Sequence, residues 1–281
     1  MENKRIEMKS SWKTMAHLWA SYAPPAKPSP IEINFFEQYL KKMLKKNKSL
    51  KALVLGSTPE FRDLLAKYKV DTTVVDNNPI YIKAMAQLTK RHNPKERTII
   101  SDWLTMSFKP NTFDLVLSDS AQDNIKFSEF FKLLNLLYKI LKPTGCWFFG
   151  AICGRKDAQI SFTKYVDLYR ETPGHFRDFR NKTYRYFQLC FNREFYNTKT
   201  KKFNFKIVDT KVTNLVAKKK LSPSALKYLC FNLGDYRQTT LTQNVFEKIL
   251  TKNFKILATK RDNSHIVMKN KWAAILGSKK S

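Results

Sequence analysis

The feature that most constrains this chain is a rhythm. Five short, mostly apolar runs, KALVLG (51–56), TTVVD (72–76), RTIISD (97–102), FDLVLSD (113–119) and GCWFFGAIC (145–153), follow one another at close spacing. Helix-like stretches lie among them: PEFRDLLAKY (59–68), PIYIKAMAQLTKRH (79–92) and KFSEFFKLLNLLYKILKP (126–143), the last ended by Pro143. Such short runs are apolar on both faces, as strands buried in a parallel sheet must be, and helical crossovers are what parallel strands require. The pattern predicts an α/β fold: a mainly parallel, seven-stranded sheet with helices on both faces. The strand near Lys51 is expected at or beside its centre.

The rhythm breaks after the fifth run. Residues 155–240 are rich in Arg, Tyr and Phe, and FNFKIVDTKVTNLVA (203–217) reads as a strand pair. The alternation resumes with a helix in TLTQNVFEKILTKN and strands in FKILATKRD and KWAAILGSKK. The expected organisation is a leader and first helix (1–46), then a core (47–281) with an α+β insertion at 155–240; leaving the fifth strand at the ligand edge, the insertion is expected to cover that edge and form the acceptor pocket. In the leader, PPAKPSP is a stiff joint. Ser29-Pro30 is placed as N-cap and first-turn proline of a helix over Ile31–Lys46.

Ligands collect where parallel strands end. LGSTPE (55–60) ends a strand at Gly56 and opens a helix at Pro59, so a bare backbone and a helix N-terminus face the same space. Asp76 ends the second strand about 20 residues on, where nucleotide-binding folds place the acid that accepts from ribose hydroxyls; a solvated strand-end acid is the plain alternative. In SDWL (101–104), Asp102 can accept from an adenine amino group and Trp103 can pack on the ring, or fill core. In LVLSDSAQDN (115–124), Asp119 faces the same edge, while Ser118, Ser120 and Asp123 read as polar caps of the loop.

The order LGSTPE, VVDNNP, SDWL, FDLVLSD and LKPTG resembles the class I, Rossmann-like S-adenosylmethionine-dependent methyltransferases. It looks most like a subgroup with LGxTPE in place of the glycine-rich loop. The likeness covers about residues 10–150, and residues 56–60 hold one glycine where many members have three. The resemblance implies S-adenosylmethionine as cofactor. It implies Gly56, Ser57 and Thr58 along the methionine and ribose, and Asp76 with Asn77 at the ribose. Asp102 and Trp103 then fall at the adenine, and Asp119 and Ser120 at the methionine end. Trp12, Trp19 and Tyr22 would form a lid. The expected activity is methyl transfer to an unidentified small molecule, nucleic acid or protein. The alternative is a degenerate cofactor-binding or nucleic-acid-binding scaffold. Asp119, His175 and Tyr184 are the candidate catalytic residues, although such a reaction needs a base only when the acceptor must lose a proton.

Charge bears on the acceptor. The 281 residues carry a formal net charge of +29, and HFRDFRNKTYRYF (175–187) interleaves Arg with aromatics. That pattern suits stacked bases and phosphates, and it suits still better an amphipathic helix with solvated arginines. Arg177 and Arg180 are expected to meet an anionic acceptor if the first holds. Cys146, Cys153, Cys190 and Cys230 form no CxxC pair, so buried thiols are expected rather than a metal site. No run approaches the roughly 20 apolar residues of a membrane span, and the start has no signal-peptide character, so the expected setting is cytoplasmic.

Overall fold

The computed structural model describes residues 19, 22–233 and 237–278. The proposed lid residue Trp12 lies outside them. Helix α1 (Pro30–Lys46) starts at the Ser29 cap, whose hydroxyl accepts from the Glu32 N–H. Then come β1 (Lys51–Leu55), α2 (Pro59–Lys67), β2 (Asp71–Asp76), α3 (Pro79–Ala86), β3 (Glu96–Ile100) and β4 (Phe113–Asp119). Helix α4 (Phe127–Ile140) leads straight into β5 (Leu141–Ile152).

The seven-stranded sheet has the order β3-β2-β1-β4-β5-β10-β9, with β9 spanning Phe254–Lys260 and β10 Lys271–Ser278. The first five strands are parallel, and β10 runs antiparallel to both neighbours. This is a Rossmann-like architecture, with β1 next to the central β4. Leu53, Val116, Trp147 and Phe149 face one helical layer, which includes Leu133, Leu137 and Phe246. Val54, Leu115, Leu117 and Phe148 face the other, with Phe36, Phe61 and Leu65. Two buried faces explain why the strands read as continuous apolar runs. The edge strand β3 is mostly exposed, and its sequence is correspondingly more polar.

Beyond β5 the chain builds a second core. It contains α5 (Phe162–Glu171), α6 (Phe179–Phe187), the short strands β6 (Tyr196–Asn197) and β7 (Lys202–Asn204), α7 (Phe205–Ala217), α8 (Ser224–Leu229) and β8 (Arg237–Thr239). The strand pair expected across 203–217 is corrected here: only Phe203 and Asn204 are in a strand, and Phe205–Ala217 is helical. The β-branched residues suggest strand, but tertiary burial decides. Phe205, Val208 and Val212 are buried at helical spacing, and the Asn204 side chain caps the helix by accepting from the Lys206 N–H. Helix α9 (Gln243–Leu250) returns to the main sheet.

All four cysteines are free and buried. Among the described residues, no helix is long and apolar enough to cross a membrane.

Candidate functional site

The ends of β1, β2 and β4 open into a cavity of about 1190 Å³, counted with its open mouth. Its floor includes Gly56, Ser57, Thr58, Asp76, Asp119 and Ser120; its roof includes Phe179, Tyr186, Phe205 and Phe231 of the second core. The excursion after β5 therefore covers the C-terminal edge of the sheet.

Gly56 has φ +86°, a conformation that L side chains rarely adopt, and its N–H donates to the Val75 carbonyl at 2.9 Å. The Trp103 indole N–H donates to the same carbonyl at 2.8 Å, which sets the ring beside Gly56. Trp103 is thus both buttress and cavity wall. Thr58, the N-cap of α2, makes no side-chain capping bond. The hydroxyls of Ser57 and Ser120 are buried without a protein partner, and Ser120 is left-handed at φ 52°. Buried polar groups are normally satisfied, so these two mark the wall where a polar ligand is wanted.

Asp76 is nearly buried. One carboxylate oxygen accepts from the Asn78 N–H at 2.9 Å, yet burial raises the carboxyl to about 6 against the pull of the Asn78 and Asn77 backbone. A ligand hydroxyl would restore solvation to its charged form. Asp119 lines the cavity and is also partnered: its carboxylate takes a close ion pair from Lys271, whose ammonium faces Glu32 at 3.8 Å. Burial, strengthened by Asp119 and opposed by Lys271, pushes Glu32 up to about 8.

The cavity thus gathers Gly56, Ser57, Thr58, Asp76, Trp103, Asp119 and Ser120. Four other residues singled out in the sequence stand outside its wall. Asn77 is exposed at the turn, and its neighbour Asn78 caps α3. Asp102 is exposed and accepts from the Leu104 N–H at 2.7 Å, closing its own turn. His175 sits exposed on a 3-10 turn, Pro173–Arg177. Tyr184 is half-buried beneath the Arg185 guanidinium at 5.6 Å. Helical phase explains the last case: α6 turns Phe179, Thr183, Tyr186 and Phe187 to the cavity, and at roughly 100° per residue Tyr184 lies about 100° from Thr183 and about 160° from Tyr186. Arg177 and Arg180 are exposed and absent from the wall.

Leader residues reach the mouth. The Trp19 indole donates to Glu60 at 3.2 Å and packs with Tyr81 and Met85; Tyr22 stacks on Phe179 with centroids 5.8 Å apart. Sequence reasoning missed Tyr81, Asn124, the roof aromatics and Gln238 as cavity residues, and it read Asp123 as a loop cap. Asp123 is buried on the wall, accepting from Gln238 at 3.0 Å and Gln122 at 3.3 Å. Its signal was an acid just past the β4 edge; its partner, 115 residues away in the chain, left none.

Residues 53–145 match the family model of the methyltransferase domain. A curated relative, the uncharacterized protein MJ0638 of Methanocaldococcus jannaschii, is 40% identical over 70 residues, which is 25% of this chain and 30% of the relative. The match thus spans under a third of that relative's length. Three solved structures share the fold. The PH0226 protein from Pyrococcus horikoshii has a TM-score of 0.55 at 13% identity, covering 93% of this chain and 98% of that one. The N-methyltransferase NodS from Bradyrhizobium japonicum, in complex with S-adenosylhomocysteine, has 0.53 at 14%, covering 96% and 99%. The 1,6-didemethyltoxoflavin-N1-methyltransferase of Burkholderia thailandensis has 0.55 at 9%, covering 99% and 90%. At these identities the likeness speaks to fold. The family model covers residues 53–145, about a third of the chain, and spans the strands and helices that build the cavity floor.

Proposed function

We propose that the cavity binds S-adenosylmethionine along its floor and brings a methyl acceptor under its aromatic roof. The observation that carries this reading is the convergence of Gly56, the unpartnered Ser57 and Ser120 hydroxyls, and Asp76 at one strand edge. The bare Gly56 backbone and the uncapped start of α2 accommodate a close polar ligand. Asp76 accepts from the two ribose hydroxyls, a task for which a carboxylate has enough lone pairs. Trp103 packs beside the nucleoside.

When bound, the cofactor supplies a methyl group made electrophilic by its sulfonium. The chain's part is placement. Asp119 is held at the methionine end by Lys271, which fixes its carboxylate while offsetting its charge. The roof rings and the leader residues Trp19 and Tyr22 keep water from the reacting groups. Alignment of the acceptor is the main catalytic contribution of such a site.

Calorimetric titration with S-adenosylmethionine and S-adenosylhomocysteine tests the reading. Both should bind one to one, with weaker binding in Asp76→Ala. Binding of neither to folded protein overturns it.

A further inference from the structure

The chain has 52 Lys and Arg residues and only 23 Asp and Glu. The cavity reverses that balance: among the described residues that line it, none is Lys or Arg, while Asp76, Asp119 and Asp123 are present. With Asp76 assigned to the ribose, two acids remain at the roofed end, facing an aromatic enclosure. Tyr186 packs against Phe231 at 4.5 Å and Phe205 at 5.1 Å, and Phe179 packs against Phe231 at 6.4 Å. The Lys182 ammonium lies over the Phe231 ring at 4.5 Å, but it is tied to the carbonyls of Lys227 and Cys230 and is not part of the wall.

We infer that the acceptor is a small organic amine carrying an apolar or aromatic body, seated under the rings with its nitrogen at Asp123. The identification of this compound as methyl acceptor rests on the proposed function; the amine site itself rests on the wall. An anion entering this end would meet carboxylates and ring faces, both repulsive to negative charge, and no Lys or Arg in the described wall; Lys271 lies behind it, already ion-paired with Asp119. An ammonium meets the opposite: ring faces attract it, and Asp123 receives it.

Asp123 is suited to a proton as well as to a charge. It is 4% exposed, and its two oxygens accept only from neutral amides, Gln238 and Gln122. Burial and the nearby Asp119 raise its carboxyl well above the ordinary range, against the hydrogen bonds from Gln238 and Gln122 and the more distant Lys271. Ammonium with carboxylate has the same net charge as amine with carboxylic acid. The proton moves from the ammonium nitrogen to an Asp123 oxygen, leaving the nitrogen lone pair free, as attack on a methyl group requires.

The test uses the full chain and two probes of similar size and opposite charge, 2-phenylethylamine and 3-phenylpropionate. Each is titrated with and without saturating S-adenosylhomocysteine. The amine should bind at least about tenfold more tightly than the carboxylate, as ring-face and ion-pair contacts would give. That preference should collapse to near parity in Asp123→Asn, with retained S-adenosylhomocysteine binding showing that the variant is folded. Equal or tighter binding of the carboxylate, binding of neither probe, or a preference that survives in Asp123→Asn overturns the inference. Amine preference in a protein that binds no S-adenosylhomocysteine would overturn the cofactor reading alone.

Discussion

The ammonium of Lys271, the first residue of β10, is ion-paired with the carboxylate of Asp119, the last residue of β4, with side-chain exposures of only 2% and 6%. The antiparallel entry of β10 beside β5 makes this possible, because it brings the start of β10 to the edge where the parallel strands end. Removing the cation leaves two buried carboxyls without it. Lys271→Met should therefore cost about 3–5 kcal/mol in denaturant unfolding. Adding Glu32→Gln and Asp119→Asn to that variant should recover much of the loss. A single variant as stable as the parent would show that the pair contributes little.

Glu32 gives the protein a distinct pH dependence. Its folded-state value of about 8 lies above the usual 4.5, so the folded chain holds this proton more tightly than the unfolded chain does. The contribution is fully present below about 4.5, declines as pH rises, and is lost once pH passes about 8. Thermal unfolding across that window should show a smaller decline in Glu32→Gln than in the parent. Parallel curves would remove Glu32 as the source.

Asp76 separates stability from binding. Burial raises it to about 6, so at pH 8 the ligand-free protein carries an ionised carboxylate in a poorly solvating place. Asp76→Asn keeps an acceptor for the Asn78 N–H and removes that charge. The free variant should melt at or above the parent's temperature at pH 8, while S-adenosylmethionine binding weakens by about 1–3 kcal/mol. A variant that melts lower and binds normally would make Asp76 a structural cap.

The cavity floor was legible in the sequence because it is local. Gly56, Asp76 and Asp119 each end an apolar run, and a parallel sheet necessarily brings such ends to one edge. That the excursion after β5 covers this edge was legible from where β5 ends, but the roof's individual contacts were not, because they join distant segments. Gln238 meets Asp123, and Tyr22 meets Phe179, through tertiary packing that no spacing announces. The interleaved Arg and aromatic residues of 175–187 drew attention to charge, yet amphipathic phase turns Phe179 and Tyr186 inward and leaves Arg177 and Arg180 outside. Asp102 and Asn77 lie on exposed turns next to the strand ends and outside the cavity wall.

Gly150 tests how closely the carboxyl cluster is fitted to β5. It pairs in register with Asp119, and its carbonyl accepts from the Ser120 N–H at 2.9 Å. A Cβ there would lie 2.5 Å from Glu32 Oε1 and 2.6 Å from Asp119 Oδ1. Both carboxyls are buried and held near Lys271, so neither can retreat without loosening the ion cluster. Gly150→Ala should destabilise by about 1–3 kcal/mol, as overpacking typically does, and should weaken cofactor binding because Asp119 and Ser120 line the cavity. Gly277→Ala is the control. Its Cβ would meet the Leu257 side chain at 2.9 Å, but Leu257 is 41% exposed and can swing toward solvent. That variant should lose less stability and bind the cofactor as the parent does. Equal losses in the two variants would show that the crowding at Gly150 is relieved as easily as at the sheet's open end.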